Sequence, residues 1–203
     1  MNKNKKDFNI IVNGVGGQGL ITLLKVISEA AMKEGLDVKT SELHGLAQRG
    51  GAVEAHLRFG PKIYSPLVEK GKADLIISLE TQEALVVSYY ASKNSNTVYL
   101  VNQFRTPTLS ETISDEDVLK RLKKISSNVI IIPASDVCQK ELGNSVVAGV
   151  FLLGMAAAHN FIPLDMNTLI NVIKEVIPEK YLELNLNAFN LAKTYKPAAV
   201  VNS

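Results

Sequence analysis

The sequence predicts an α/β fold: an open, mostly parallel sheet with helices on both faces and a helical C-terminal third. Strand-like and helix-like patterns alternate over about the first 140 residues, which is typical of βαβ units. Only helix-like patterns follow, and neither an internal repeat nor a low-complexity linker interrupts the chain. We therefore expect a single domain over residues 1–203, with residues 1–8 as a flexible terminus.

The first predicted strand, "FNIIVNG", is a short apolar run, as expected of a strand buried on both faces. A helix is predicted over 20–33, where leucine and alanine recur at helical spacing before Gly35 ends the pattern. "LDVKTSEL" is the second predicted strand. Apolar and polar residues alternate in "GAVEAHLRFG", which predicts an antiparallel strand at the sheet edge. His56, on its polar side, is expected to be an interface or surface residue.

Three further predicted strands, "ADLIISLE", "NTVYLVNQ" and "NVIIIPAS", complete the sheet. Helices are predicted between them at "TQEALVVSYYASK" and "SDEDVLKRLKKIS". The C-terminal part is expected to form three helices, over 145–159, 165–176 and 179–194. The first of these is apolar nearly all round, so we expect a core helix that also borders a subunit interface.

Composition excludes several classes of protein. The net charge of +2 is too small a basic excess for a typical nucleic-acid-binding protein, so no nucleic-acid partner is expected. The apolar stretch "VVAGVFLLGMAAA" is shorter than the roughly 20 residues that span a bilayer. The basic residues near the start are not followed by the apolar region of a signal peptide, because Asp7 and Asn9 interrupt it, so no signal peptide is expected. We therefore expect a cytoplasmic protein without membrane contact. The single cysteine, Cys138, excludes a disulfide framework or a set of thiolate ligands, and is expected to be a buried structural thiol.

The segment "NGVGGQGL" contains G-x-G-x-x-G after a strand and before a helix, which predicts a Rossmann-like turn that presents backbone N–H groups to an anion. Glu42 lies 23 residues beyond Gly19, where nicotinamide enzymes place an acid on the ribose. A stand-alone NAD(P)-binding oxidoreductase and a nucleotide-binding regulatory module are thus alternatives. The extra Gly17 and the loop "LHGLAQRGG" after Glu42 argue against nicotinamide.

Four segments together, "GVGGQG", "SELHGLAQRGGAVEAHLRFG", "SPLVEKGKADLIISLE" and "ELGNSVVAGVFLLGM", resemble the gamma-type domain of 2-oxoacid:ferredoxin oxidoreductases. The resemblance runs from about Asn9 to Tyr195 and includes "NLNAF" in the last helix. Indolepyruvate and related aryl 2-oxoacids are the best-matching substrates. Val86 stands where the family often has arginine, so pyruvate, 2-oxoglutarate and branched-chain acids stay open.

The resemblance implies a non-cluster-bearing subunit, inactive alone, of an enzyme that converts a 2-oxoacid oxidatively to an acyl-CoA. Thiamine diphosphate, magnesium, iron–sulfur clusters and CoA belong to the whole complex, whose larger subunit carries the clusters and passes electrons to ferredoxin. This chain is expected to hold no catalytic residue and no metal. Its CoA- or partner-facing loops are expected to contain Gly14, Gly16, Gly17, Gln18, Gly19, His44, Gln48, Arg49, Gly50 and Gly51. His44 is expected to be either a proton carrier or a structural histidine bonded to the loop.

Overall fold

The computed structural model describes residues 6–44, 51–92, 97–106 and 113–196. Its strands are β1 Phe8–Val15, β2 Asp37–His44, β3 Ala52–Gly60, β4 Leu75–Ser78, β5 Val98–Asn102 and β6 Val129–Ile132. Across the sheet they follow the order β2-β3-β1-β4-β5-β6. Parallel pairing joins β1 to β4, β4 to β5, and β5 to β6. The predicted open, mostly parallel sheet is confirmed.

The helices are α1 Leu20–Lys33, α2 Glu83–Val86, α3 Asp115–Lys123, α4 Ala134–Leu142, α5 Ala148–Ala158, α6 Met166–Val176 and α7 Glu179–Thr194. The helix predicted over 81–93 is shorter than expected, because α2 gives way to a 3₁₀ turn at Ser88–Tyr90. The helix predicted over 145–159 opens with a 3₁₀ turn, Ser145–Val147. Asn144 caps this turn, since its Oδ1 accepts a hydrogen bond of 3.0 Å from the backbone nitrogen of Val146.

Strand β3 is antiparallel to both of its neighbours, β1 and β2. The antiparallel direction predicted from its alternating pattern is confirmed, but the predicted edge position is wrong: β2 lies at the edge. In register, Val53 stands between Gly14 on one side and His44 on the other. Every residue of β2 is therefore separated from β1 by a whole strand.

Side chains that alternate along β1 face two separate cores. Ile10 and Val12 face the larger core, which is shared with α1, α4, α5, α6 and α7. Ile11 faces the smaller core, which is shared with α2 and α3. The prediction of helices on both faces is confirmed, and it explains why β1 reads as a continuous apolar run.

Helix α5 is a core helix, since every residue from Ala148 to Ala157 is buried. It packs closely on α7: a Cβ at Gly154 would lie 2.6 Å from the carbonyl oxygen of Phe189 and 2.8 Å from Cβ of Ala192. The core position is thus confirmed, and the border with another subunit stays a prediction. Within the described ranges, no helix is both long and apolar enough to cross a bilayer.

Candidate functional site: the crevice between strands β1 and β4

The carboxyl ends of β1 and β4 mark the point where the sheet changes its helical cover. Helix α1, which follows β1, packs in the larger core, whereas α2, which follows β4, packs in the smaller core. The two connections therefore leave the sheet in opposite directions and open a crevice between them. Open α/β sheets bind ligands at such a switch point. The predicted glycine loop, residues 14–19, forms one wall of this crevice.

The glycine loop has the tight geometry that its sequence predicts. Gly17 and Gly19 have positive φ angles of 101° and 79°, which side chains with a Cβ rarely adopt. Gly14 is required for a different reason, because a Cβ there would lie 2.6 Å from Oε1 of Gln18 and 2.8 Å from Cβ of Leu79. That Oε1 accepts a hydrogen bond of 2.9 Å from the backbone nitrogen of Val15. Gln18 thus holds the turn closed from within.

A buried carboxylate bridges the crevice. Glu80, only 6% exposed, lies just beyond β4. Its Oε1 accepts a hydrogen bond of 2.7 Å from Nε2 of Gln18 and one of 2.5 Å from Oγ1 of Thr106. Its Oε2 accepts from the backbone nitrogen of Thr106 at 3.2 Å. One acid therefore links the segments that follow β1, β4 and β5.

Asn102 makes the next link along the same edge of the sheet. The Nδ2 of this buried residue donates to the carbonyl oxygen of Leu79 at 3.1 Å and to Oγ of Ser135 at 2.8 Å. Its Oδ1 accepts from the backbone nitrogen of Ser135 at 3.1 Å. Together Asn102 and Glu80 fix the carboxyl ends of the parallel strands. Most of their hydrogen-bonding groups are occupied by other residues of this chain.

The cavity that the described residues enclose at the crevice is small for a dinucleotide and lies beside an acid. The cavity between Gly17, Leu79 and Phe104 has a volume of about 180 Å³, whereas cofactor pockets usually measure roughly 300–1,000 Å³. Glu80 also places a carboxylate at the crevice, close to the N-terminal end of α1. A phosphate there would be repelled by the charge of this acid.

The glycine loop is joined directly to the segment that carries the second motif. The backbone nitrogen of Gly16 donates a hydrogen bond of 3.1 Å to the carbonyl oxygen of Gly51. Gln48, Arg49 and Gly50 lie outside the described residues, so their predicted role stays a prediction. Gly51, the last residue of A-Q-R-G-G, is therefore in direct contact with the glycine loop.

Glu42 and His44 lie on β2, away from the glycine loop. Because β3 separates β2 from β1, these residues are two strand spacings, roughly 9.5 Å, from the end of β1. Nε2 of His44 lies 3.1 Å from Oε2 of Glu42. Glu42 therefore does not stand beside the glycine loop as a ribose-binding acid does. The contact that the structure shows for His44 is with the carboxylate of Glu42. Its expected bond to the following loop stays a prediction, because that loop lies outside the described residues.

His56 is buried, and the prediction of a surface or interface residue is wrong. It is 1% exposed, beneath Tyr90 and the segment around Val68. Its Nδ1 accepts from the backbone nitrogen of Val68 at 3.0 Å, so its Nε2 carries the proton and donates to Oε1 of Glu54 at 3.0 Å. The hydroxyl of Tyr90 also donates to that carboxylate, at 2.6 Å. The hydrogen bond from His56 lowers the pKa of Glu54 below its usual range.

Comparison with known proteins identifies the family. Residues 9–195 match the family described as pyruvate ferredoxin/flavodoxin oxidoreductase. The chain belongs to this family. The predicted resemblance to gamma-type domains of 2-oxoacid:ferredoxin oxidoreductases is confirmed.

The similarity to curated members of the family extends over nearly the whole chain. An indolepyruvate oxidoreductase subunit IorB from Archaeoglobus fulgidus is 34% identical over 200 residues, which cover 95% of this chain and 98% of the relative. The IorB subunit from Thermococcus kodakarensis is 32% identical and covers 92% and 94%. A pyruvate/ketoisovalerate oxidoreductases common subunit gamma from the same organism is 26% identical and covers 91% and 96%.

Solved structures of the family share the fold. The gamma subunit of a keto/oxoacid ferredoxin oxidoreductase from Geobacter sulfurreducens has a TM-score of 0.68 and 22% identity, covering 92% of this chain and 96% of that one. A 2-oxoglutarate:ferredoxin oxidoreductase from Magnetococcus marinus has a TM-score of 0.70 at 22% identity. It covers 97% of this chain but only 33% of its own. The fold thus occurs both as a separate subunit and as one third of a longer chain.

The next two observations concern the cysteine of this chain and groups that could bind a metal. Cys138 is buried in α4, where burial raises the pKa of its thiol to about 12. The prediction of a buried structural thiol is confirmed, since so high a pKa leaves little reactive thiolate at neutral pH. In the part of the chain that the structure describes, no group of three or more His, Cys, Asp or Glu is arranged to hold a metal ion.

Sequence reasoning missed the main contributors to the crevice. Glu80 is not among the site residues predicted from the sequence, yet its carboxylate is a buried acceptor for Gln18, 62 positions away. Glu83, by contrast, does lie in the first turn of α2, and there burial, followed by the charge of Glu80, raises its pKa. The available signal was a polar residue at or just after the end of each of three strands: Gln18 after β1, Glu80 after β4 and Asn102 at the end of β5. The carboxyl ends of neighbouring parallel strands lie at the same edge of a sheet, so this pattern could have predicted that the three residues lie close together.

Proposed function

We propose that this chain is the non-cluster-bearing subunit of a thiamine-dependent 2-oxoacid ferredoxin oxidoreductase, with indolepyruvate or a related aryl 2-oxoacid as substrate. The observation that carries the proposal is the match to IorB subunits at 32–34% identity over nearly their full length. Common gamma subunits of pyruvate/ketoisovalerate oxidoreductases match at 26% or below, which favours the aryl class. The whole chain, 1–203, is then a single gamma-type domain that works in the cytoplasm.

The proposed division of work follows from the side chains that this chain offers. In the complex, a 2-oxoacid loses CO₂, its acyl group passes to CoA, and two electrons reach ferredoxin through iron–sulfur clusters. Clusters need sets of cysteine thiolates, and this sequence has one cysteine. We therefore assign the clusters, thiamine diphosphate and magnesium to a larger partner subunit. The cofactor supplies the difficult chemistry, and this chain contributes positioning and charge.

The proposed contribution of this chain is the glycine loop, which is held in place at the carboxyl ends of the parallel strands. Gln18 and Glu80 fix the glycine loop, and the bond from Gly16 to Gly51 ties that loop to the end of the Q-R-G-G segment. Arg49, two residues before Gly51, is proposed to offer its guanidinium to a CoA phosphate or to the carboxylate of the 2-oxoacid. Arginine suits either group, since its planar fork of donors matches their oxygens.

The first test is purification of the tagged chain from its native host without oxygen, followed by absorption spectroscopy and mass spectrometry. A brown complex with a larger, cysteine-rich and thiamine-dependent subunit supports the proposal. A colourless chain recovered alone, with NAD bound, overturns it.

The second test addresses Arg49 in the assembled enzyme. Loss of a charged hydrogen bond worth about 1.5–3 kcal/mol should raise the Michaelis constant for CoA or for the 2-oxoacid roughly 10- to 100-fold in Arg49→Ala. The matched control is Arg121→Ala, which removes an exposed arginine from α3 and should leave both constants within about twofold. Unchanged constants in the Arg49 variant, with intact assembly, would contradict the role of Arg49.

A further inference from the structure

The turn that opens the glycine loop lies where one side of β1 loses its strand partner. The parallel ladder between β1 and β4 ends at Asn13. On the other side of β1, the backbone nitrogen of Gly16 still bonds to Gly51, just before β3. Because successive N–H groups of a strand point to opposite sides, that of Val15 points towards β4, beyond the end of their ladder. Oε1 of Gln18 accepts its hydrogen bond there, at 2.9 Å.

The side chain of Gln18 can be this acceptor in only one orientation. The oxygen and the nitrogen of a glutamine amide have nearly the same shape, so neighbouring groups decide which way the amide points. In the reversed orientation, the NH₂ group would face the N–H of Val15, and two donors would oppose each other. A backbone hydrogen bond across the same turn, from Gln18 to the carbonyl oxygen of Val15, is longer, at 3.3 Å. The orientation of one amide therefore controls how firmly the turn is closed.

Glu80 is placed to set that orientation. An ionised carboxylate only accepts hydrogen bonds, and Oε1 of Glu80 lies 2.7 Å from Nε2 of Gln18. With the carboxylate on one side and the N–H of Val15 on the other, one orientation of the amide satisfies both neighbours. The carboxylate is itself fixed by Thr106, whose hydroxyl and backbone nitrogen donate to it at 2.5 Å and 3.2 Å.

We propose that Glu80 is a positioning residue of the site described under the proposed function. Its carboxylate orients the amide of Gln18, and the amide closes the turn at Val15. The closed turn holds Gly16 against Gly51, the end of the Q-R-G-G segment. The inference rests on the proposed function, because it names the residue that sets the geometry of the loops proposed to face CoA or the 2-oxoacid. Glu80 acts through Gln18 and not on the ligand.

Two single substitutions should each loosen the turn. Glu80→Gln keeps the shape of the side chain, but no orientation of an amide at position 80 accepts from both Nε2 of Gln18 and the backbone nitrogen of Thr106. Gln18→Glu sets a second carboxylate against that of Glu80. We expect either change to speed hydrogen exchange at the backbone amide of Val15 about tenfold in the full chain. Exchange unchanged in both variants overturns the proposal.

The double variant, Gln18→Glu with Glu80→Gln, tests the orientation itself. An amide at position 80 can donate to a carboxylate at position 18 and to the hydroxyl of Thr106, while its oxygen accepts from the backbone nitrogen of Thr106. The carboxylate at position 18 still accepts from Val15. We expect exchange at Val15 to return to within about threefold of the natural chain. A double variant that exchanges as fast as the faster single variant overturns the proposal.

The same variants in the assembled enzyme separate positioning from folding. Each single change should raise the Michaelis constant for CoA or for the 2-oxoacid about 3- to 10-fold, with kcat within about twofold, and the double variant should restore it. A purely structural role would lower the yield of assembled enzyme and leave the Michaelis constants alone. Unchanged constants in both single variants, with intact assembly, overturn the role of Glu80.

Glu83→Gln is the matched control. It makes the same chemical change on a half-buried acid three residues along, whose side chain is not hydrogen-bonded to the glycine loop in the described part of the chain. We expect it to leave exchange at Val15 and both Michaelis constants within about twofold. Equal effects of Glu83→Gln and Glu80→Gln would show that the general loss of charge matters, and would overturn the specific role of Glu80.

The two readouts also separate this inference from the proposed function. If the natural chain binds no larger subunit from its host, the proposed function fails, and exchange at Val15 still decides whether Glu80 orients Gln18. If the natural chain assembles into an active enzyme whose Michaelis constants do not respond to Glu80→Gln, only this inference fails.

Discussion

Two Glu-x-His pairs lie on neighbouring strands, with nearly the same geometry and opposite surroundings. On β2, Nε2 of His44 is 3.1 Å from Glu42, and on β3, Nε2 of His56 is 3.0 Å from Glu54. The side chain of His44 is 55% exposed, whereas that of His56 is 1% exposed. Equal spacing and equal distance therefore do not imply an equal contribution to the structure.

The difference comes from what covers each strand. Strand β2 is at the edge and ends in mostly exposed residues. The polar side of β3 is covered by the 3₁₀ turn that carries Tyr90 and by the segment around Val68. In water an exposed pair contributes about 0–1 kcal/mol, while a buried network must be complete to be tolerated. His44 is therefore accessible to a ligand or a partner, whereas the role of His56 is to stabilise the fold.

Replacement of the histidines should give the largest contrast. His56→Ala removes a buried ring and leaves the backbone N–H of Val68 without its acceptor, so we expect the free energy of unfolding to fall by about 2–4 kcal/mol. His44→Ala should change it by less than about 0.5 kcal/mol. Urea denaturation of the two variants measures both values. A loss below about 1 kcal/mol for His56→Ala would be no larger than that of a typical point mutation and would contradict the buried network.

A smaller, pH-dependent effect is expected at the carboxylates. The pKa of Glu54 is lowered in the folded protein by the hydrogen bond from His56, so its charged form stabilises the fold. This stability is present above the unfolded pKa of about 4.3 and is lost as the pH falls through the folded pKa. We expect Glu54→Gln to cost about 1–2 kcal/mol at pH 7 and progressively less below pH 4 or so, in denaturation series at several pH values.

The matched control for that series is Glu42→Gln. Because the exposed Glu42–His44 pair is screened by water, this variant should stay within about 0.5 kcal/mol of the natural chain. If Glu54→Gln costs as much at pH 3 as at pH 7, the charge of Glu54 is not what stabilises the fold.

The smallest expected effect within the buried network is that of Tyr90→Phe. The change removes the hydroxyl that donates to Glu54 but keeps the ring, which packs edge-on against His56 at 4.9 Å between centroids. We expect a loss of about 1 kcal/mol. Combining Tyr90→Phe with Glu54→Gln should cost less than the sum of the two, because both changes remove the same bond. Strict additivity would show that the hydroxyl and the carboxylate act independently.

The sequence predicted the elements better than it predicted their order. Apolar runs revealed the parallel strands, and the alternation in β3 revealed its direction. Its place inside the sheet was missed, because alternation records one polar side and does not reveal whether a distant segment covers that side. His56 was misjudged for the same reason, since its cover comes from Val68 and Tyr90, and Tyr90 is 34 residues away.

The candidate site shows the same limit. The glycines of the first loop were predictable, because the positive φ angles and close approaches that they require leave a local signature. Glu80 and Asn102 left no such signature, since their importance depends on burial and on contacts between distant segments. The family resemblance supplied the overall function, and the structure shows which side chains hold the loop edge in place.

Strand β3 also affects how the chain reaches its native state. It is next to β2 in both sequence and space, so the two strands can close as a local hairpin, an event of about 1–10 μs. The parallel pairs must wait for the helices that connect them, and such long-range pairing is slow. We therefore expect the β2–β3 hairpin to form early in refolding. Its outer strand is nevertheless the most exposed part of the finished sheet, so the first structure to form is also the first to open.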